Sequence, residues 1–509
     1  MAQINVNNLT FAYNGSFDNI FENISFCIDT DWKLGFIGRN GKGKTTFLNL
    51  LLGKYEYQGS ISTSTVFDYF PYKVTESDME KTASELMENW KPNVEGWKVM
   101  CELAVLGIDA SLLYRPYKTL SFGERTKVML AVLFSGENDF LLIDEPTNHL
   151  DTSAREIVKK YLATKKGFIL VSHDRDVLDS CIDHVLVLNR SSIDVQAGNF
   201  SSWWENKEKA DINARAENKK HMKEIVKLEQ AVDRASRWAQ KNENTKIGFN
   251  PQKEHDRFIG TRAYIGAKTK KMHKSVKAYE KRMEREIREK EGLLNDIEEV
   301  VNLKLKPLGY HKERLILCRD FSLTYNDASE PAVRNITFEI RNGEQIVING
   351  KNGCGKSSLI KAILEAGKPE ECAKGNYMTK GSLEVPKNLT ISYINQDTTK
   401  LNGSLLDYSM KHGLDYTMFL TLLRQLDFER ILFSKPMEQY SEGQKKKVLI
   451  ASSLLQSAHL YIWDEPLNYI DVYTRMQIEK LIETFKPTML IVEHDVRFKE
   501  KIATRVINF

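Results

Sequence analysis

Apolar residues set the first reading of this chain. In INVNNLTFAY (4–13) and ISFCI (24–28) they form short runs of strand character, and LGFIG (34–38) predicts a buried strand feeding a glycine-rich loop. TTFLNLLLG (45–53) predicts the helix that leaves this loop, with Gly53 at its end. Continuous apolar runs at 140–144 and 167–171 predict strands of a parallel sheet covered on both faces. Residues from about 312 to 509 repeat the plan. Between the two stretches the rhythm changes. Ile225, Leu228, Val232, Ala235 and Ala239 step by three and four, and Met283, Ile287, Leu294, Ile297 and Val301 fit the same seam. Glycines and a proline in 243–261 interrupt the pattern. The segment therefore predicts two long antiparallel helices with a broken tip, and a helix over 205–242 would reach roughly 57 Å at about 1.5 Å per residue.

The two similar stretches carry one ordered set of motifs twice. The first copy reads GRNGKGKT at 38–45, LSFGER at 120–125, FLLIDEPTNHLD at 140–151, and His173. The second reads GKNGCGKS at 350–357, YSEGQK at 440–445, YIWDEPLNYID at 461–471, and His494. Lys44 and Lys356 are 312 residues apart, while Ser121 and Ser441, and Asp144 and Asp464, are each 320 apart. Preserved order over such a distance marks an internal duplication.

A length of 509 residues suits two domains plus an extra element. The hydrophobic (41%) and charged (28%) fractions are those of an ordinary globular protein. No apolar run approaches the length of a membrane span, and MAQINVNNLTFAY lacks the pattern of a signal peptide. Cys27, Cys101, Cys181, Cys318, Cys354 and Cys372 are scattered singly, as expected of reduced thiols in the cytoplasm. The net charge of +4 hides an asymmetry: residues 211–290 carry a net +10 and the rest of the chain −6. Positive charge is thus concentrated between the duplicated halves.

The motifs explain one another chemically. Gly38, Gly41 and Gly43 permit a tight loop whose amides face phosphate oxygens, Lys44 adds a mobile charge, and Thr45 adds a hydroxyl for magnesium. Gly350, Gly353, Gly355, Lys356 and Ser357 repeat the arrangement. Asp144 and Asp464 end apolar strands, where an aspartate can organise magnesium. Glu145 and Glu465 follow and suit the base that activates water, each backed by His173 or His494.

These combinations resemble the ATP-binding cassette superfamily. The fold implied is α/β: two tandem P-loop NTPase domains, 1–204 and 312–509, joined by a long helical hairpin over 205–311 with its tip at 243–262. The resemblance implies a head-to-tail sandwich with ATP and Mg2+ in each site. Site one combines Lys44, Thr45, Asp144, Glu145 and His173 with Ser441 and Gly443. Site two combines Lys356, Ser357, Gln396, Asp464, Glu465 and His494 with Ser121 and Gly123. Tyr13 and Tyr325 match the aromatic that stacks on adenine, and Asn40, Thr46, Asn352 and Ser358 complete the ATP-contacting set. Gln396 is a metal-side residue of site two, whereas Tyr72 stands where glutamine is usual in the first half. Phe122 and Glu442 replace the second signature glycine, and Leu467 the threonine of EPT, so unequal sites are expected.

EPTNHLD at 145–151, two cassettes in one chain and the basic linker resemble the ABC-F branch. The second copy, EPLNYID, departs from that pattern. Members of the branch bind the ribosomal E site, beside P-site tRNA, and reach toward the peptidyl-transferase centre. The short spacing before each signature leaves no room for a large arm insertion. Only 15 residues follow His494. With the long tip, these features resemble proteins protecting ribosomes from lincosamides, streptogramins A and pleuromutilins. On that resemblance Lys246, Phe249, Lys253, Arg257, Phe258 and Arg262 would touch ribosomal RNA, with no membrane or DNA partner. A housekeeping translation factor without drug phenotype, a transporter's ATPase subunit and a structural DNA-associated ATPase are the alternatives.

Overall fold

The computed structural model describes residues 2–13, 19–92, 94–136, 139–148, 150–189, 193–247, 305–326, 329–367 and 376–509, with isolated positions between 270 and 285. Two compact units emerge: Met1–Trp203 with Val300–Phe509, and Trp204–Glu299. The duplicated halves thus share one unit.

Each half is built on a sheet whose central strands are almost wholly buried. In the first, the strand order is Val66–Phe70, Asp139–Asp144, Phe168–Val171, Lys33–Ile37, His184–Leu188, Ile193–Ala197. All pairs are parallel except the last. In the second, five parallel strands run Ile391–Ile394, Leu460–Asp464, Met489–Val492, Gln345–Asn349, Arg505–Asn508. The apolar runs read as doubly covered strands are those, since Phe140, Leu142, Ile143, Ile169 and Leu170 have no exposed surface. The phosphate loops, the aspartate–glutamate pairs and the histidines lie at the carboxyl ends of these strands, the usual site of ligand binding in open α/β sheets, whereas the signatures follow short 3-10 turns.

Each half adds a three-stranded antiparallel sheet, centred on Gln3–Phe11 in the first and Arg314–Tyr325 in the second. Signature helices run over Phe122–Phe134 and Glu442–Leu455, each opened by a capping box in which Ser121 or Ser441 accepts the third-residue amide. The signature serines are therefore helix caps as well as motif residues.

In the other unit, the helix Phe200–Ile247 is 48 residues long and enters it at Trp204. It begins five residues before the expected 205 because Asn199 caps it, accepting the Ser202 amide at 3.0 Å. It also continues through 243–247, which the sequence pattern assigned to the tip. Ile225 is buried and Leu228 half-buried, while Met222 and Val226 are exposed, as the seam predicts at these positions; the side chains of Val232, Ala235 and Ala239, and residues Ile287, Leu294, Ile297 and Val301, lie outside what is described. Met283 of the second predicted helix is also buried. Lys246 lies in the last helical turn, whereas Phe249, Lys253, Arg257, Phe258 and Arg262 lie outside the described residues. No helix among the described residues is long and apolar enough to cross a membrane.

Candidate active sites: two clefts shared by the halves

The loop after Lys33–Ile37 turns into the helix Lys44–Leu51, and that after Gln345–Asn349 into Lys356–Ala366. Gly43 (φ 106) and Gly355 (φ 96) precede these helices in the left-handed region. A Cβ on Gly355 would stand 2.0 Å from the Ala332 carbonyl oxygen, so only glycine fits there. Lys44 Nζ donates to the Gly38 carbonyl (2.6 Å), and Lys356 Nζ to those of Gly350 and Lys351 (both 2.8 Å). The ammonium groups thus lie inside the loops that the phosphate cradle requires.

Beside each loop a hydroxyl meets the strand-end aspartate. Thr45 Oγ1 donates to Asp144 Oδ2 at 3.1 Å and Ser357 Oγ to Asp464 Oδ2 at 2.9 Å. These oxygens suit a hard cation such as magnesium. Asp464 Oδ1 is buried without a hydrogen bond, an arrangement a cation would relieve. The next residues, Glu145 (φ 53) and Glu465 (φ 48), are left-handed although they are not glycine. Backbone strain of this kind is characteristic of functional positions. Each carboxylate lies beside a histidine: Glu145 Oε1 is 3.3 Å from His173 Nε2, and Glu465 Oε1 3.8 Å from His494 Nε2. Burial, then the neighbouring Asp144 charge, pushes Glu145 up to about 8. Burial likewise lowers both histidines, His494 to about 3, so the imidazoles are neutral. Raised pKa values make Glu145 and Glu465 stronger bases once ionised, and each can then take a proton from water beside a neutral imidazole.

The first cleft, about 840 Å3, joins Asn40, Gly41, Lys44, Thr45, Asp144, Glu145 and His173 to Ser441, Glu442, Gly443 and Tyr469 of the other half. Asn40 Nδ2 donates across it to the Tyr469 carbonyl at 2.7 Å. The second, about 410 Å3, joins Tyr325, Asn352, Gly353, Gly355, Lys356, Ser357, Ser358, Gln396, Glu465 and His494 to Phe122, Leu150 and Arg155. Phe122, rather than its neighbours Ser121 and Gly123, is the signature residue lining it. Tyr325 hydrogen-bonds Ser358 at 3.0 Å and lines its cleft, whereas Tyr13 hydrogen-bonds Thr46 at 2.8 Å and packs edge-on against Phe11 and Tyr55.

Strand register confirms that Tyr72 occupies the position of Gln396: Phe70 pairs with Ile143, and Ile394 with Trp463. Tyr72 lines the cleft but donates to Asp68 at 2.7 Å, not to Asp144 or Glu145, and stacks on Trp90. The Gln396 amide nitrogen donates to Glu465 Oε2 at 2.8 Å, so its contact is with the glutamate rather than the metal-side Asp464. Asn468 Nδ2 donates to the same oxygen at 2.8 Å.

Several site residues were not singled out in the sequence. Lys446 is buried, donates to the Asn395 carbonyl at 3.1 Å, and has Thr126 as its counterpart in the first half. Glu493, buried where the first half has Ser172, accepts the His494 amide at 2.8 Å. Arg155 and Arg475 donate to the loop carbonyls of Leu150 and Ile470 (both 2.9 Å) and pair with Asp174 and Asp495. Both stand four residues after the motif aspartates Asp151 and Asp471, a repeat signal that could have found them.

The profile of the family described as ABC transporter matches residues 21–148 and 333–468, more than half of the chain. The chain belongs to this ATP-binding cassette family, as a tandem-cassette protein of the ABC-F type. Its cassettes bind and hydrolyse ATP. Among curated relatives, the ribosome protection protein VmlR of Bacillus subtilis (strain 168) is 26% identical, over 96% of this chain and 84% of its own length. The ATP-binding protein Uup of Buchnera aphidicola is 25% identical over 99% and 80%. Two solved structures share the fold. An archaeal ribosome recycling factor, solved with a ribosomal stalk protein, is 19% identical over 98% of this chain and 87% of its own, with a TM-score of 0.59. The structure titled RNase-L Inhibitor is 19% identical over 99% and 87%, also with a TM-score of 0.59.

Proposed function

We propose that this protein is a cytoplasmic, ribosome-binding ATPase that protects translation from antibiotics acting at the peptidyl-transferase centre and leaves on hydrolysis. The observation carrying this reading is the basic segment between two cassettes: residues 211–290 hold a net +10, and their first helix is 48 residues long. A tether would need neither that reach nor that charge. The likeness to a ribosome protection protein, over 96% of this chain, supports it. In this reading residues 1–204 and 312–509 are the cassettes, and 205–311 is the hairpin that enters from the E site toward P-site tRNA.

Within each cassette, Glu145 and Glu465 act as bases for the attacking water, oriented by His173 and His494. Lys44 and Lys356 bind phosphate. Thr45 with Asp144, and Ser357 with Asp464, hold Mg2+, which supplies charge stabilisation at the phosphates. The two environments differ, Glu465 alone receiving the Gln396 amide. The single Glu145→Gln and Glu465→Gln proteins are therefore expected to hydrolyse ATP at different rates, and indistinguishable steady-state rates would contradict that asymmetry.

The hairpin's lysines and arginines should displace counterions from ribosomal RNA, so affinity should fall steeply with salt. Glutamine at Lys268, Lys270, Lys271 and Lys274 should flatten that slope in co-sedimentation, and an unchanged slope argues against RNA contact. Shortening 247–259 to a Gly/Ser turn should leave ATPase activity and ribosome binding intact but abolish protection of in vitro translation against lincomycin or tiamulin. If the unaltered protein protects against neither drug, a housekeeping translation factor is the reading that stands.

A further inference from the structure

The two aspartates read as the magnesium-side carboxylates are held differently, and the difference falls on a residue outside the shared motifs. Asp144 Oδ2 accepts two hydrogen bonds, from Thr45 Oγ1 and from the Tyr69 hydroxyl, each at 3.1 Å. Asp464 Oδ2 accepts Ser357 Oγ, and its Oδ1 makes none. Tyr393 occupies the register position of Tyr69, since Tyr69 pairs with Leu142 and Tyr393 with Ile462, each two residues before the aspartate. Yet the Tyr393 hydroxyl turns to Asn395 Oδ1 at 3.2 Å. The same backbone position thus serves the aspartate in one site and not in the other.

Tyr69 is itself fixed. It lines the first cleft with Thr45, Asp144 and Glu145, and the Lys54 ammonium lies 5.2 Å from its ring centroid. Tyr72, where a glutamine amide stands in site two, is committed to Asp68 and Trp90. Site one therefore has no amide at that position but has a phenol on its metal-side carboxylate. Two donors converging on one oxygen restrict carboxylate rotation more than one does. A hydrogen bond to a charged acceptor is also stronger than one between neutral groups.

We infer that Tyr69 is the positioning residue for magnesium in site one: its hydroxyl, with Thr45, locks Asp144 in the orientation that receives the cation, in a site whose glutamine is missing. The inference rests on reading Asp144 as the magnesium-side aspartate.

The test uses full-length protein carrying Lys356→Ala, so that site one dominates binding of a fluorescent ATP analogue, titrated in EDTA and then with rising Mg2+. Tyr69→Phe keeps the ring and removes the hydroxyl. It should raise the half-saturating Mg2+ concentration about tenfold while binding in EDTA is unchanged, the scale of one hydrogen bond to a charged group. Tyr393→Phe, measured with Lys44→Ala so that site two is read, should shift nothing. Asp144→Asn, run in parallel in the Lys356→Ala background, should raise the Mg2+ requirement more strongly than Tyr69→Phe. If Asp144→Asn shifts the requirement and Tyr69→Phe does not, the role given to Tyr69 is wrong. An equal loss with and without Mg2+ in Tyr69→Phe also overturns it, because that is a packing effect. An unshifted Asp144→Asn instead overturns the reading of the aspartate on which the inference rests.

Discussion

Glu145→Gln combined with Glu465→Gln is expected to lower ATP turnover by about 10²–10⁴-fold while nucleotide binding persists. Glutamine matches glutamate in shape, so the left-handed backbone at these positions, φ 53 and 48, has no new strain to accommodate. The phosphate loops and the Thr45–Asp144 and Ser357–Asp464 pairs are untouched. What is lost is a carboxylate able to take a proton, and the neutral His173 and His494 cannot replace it as they stand, their pKa values being lowered by burial. The Glu465 carboxylate also accepts two amide protons, from Gln396 and Asn468. A glutamine there can keep them only by presenting its carbonyl oxygen. Phosphate release and equilibrium ATP binding on the same preparation check the outcome. Hydrolysis at the unaltered rate would mean that another group is the base.

The second large effect is on stability, at the contact between cassettes. Arg175 of the first half forms a two-pronged pair with Glu479 of the second, one bond at 3.2 Å and the other shorter, and Glu479 has no exposed surface. Removing one partner of a buried pair typically costs about 3–5 kcal/mol, because the remaining charge is left in a dry site. Arg175→Ala should fall at the lower end, since Lys501 Nζ stays 3.4 Å from Glu479 Oε2. Arg175→Met with Glu479→Gln removes both charges and should cost much less. Arg334→Ala, whose pair with Glu330 is exposed, should cost about 0–1 kcal/mol. Thermal denaturation of the full chain ranks the three. Equal midpoints for Arg175→Ala and Arg334→Ala would contradict a buried role for the Arg175 pair.

Much of the fold was legible because it depends on local signals. The runs at 140–144 and 167–171 became buried parallel strands, and the glycines before Lys44 and Lys356 took the left-handed turns their loops require. The proximity of each glutamate to its histidine was equally legible, the two residues following the ends of neighbouring strands. Boundaries were harder. The start at Phe200 depends on the Asn199 cap, a signal present in GNFSSWW but outside the seam's periodicity. The pairing of each phosphate loop with the other half's signature was expected from the resemblance, but the ion pairs between the halves were not legible. Arg39–Asp427 and Arg175–Glu479 join residues several hundred positions apart that share no motif. Tyr69 was missed for a different reason: its phenol bonds Asp144, while Tyr393 at the same register bonds its neighbour, and repeat comparison alone cannot separate those two side-chain directions.

The central claim, an ATP-driven protein acting on ribosomes, is tested most directly by sedimentation. Full-length Glu145→Gln/Glu465→Gln protein is added to cell lysate with ATP, and ribosomes, membranes and DNA are separated at low and high salt. The expected result is accumulation with ribosomes, dependent on ATP and weakened by salt. Protein that stays in the supernatant, or that follows membranes or DNA instead, would contradict the account.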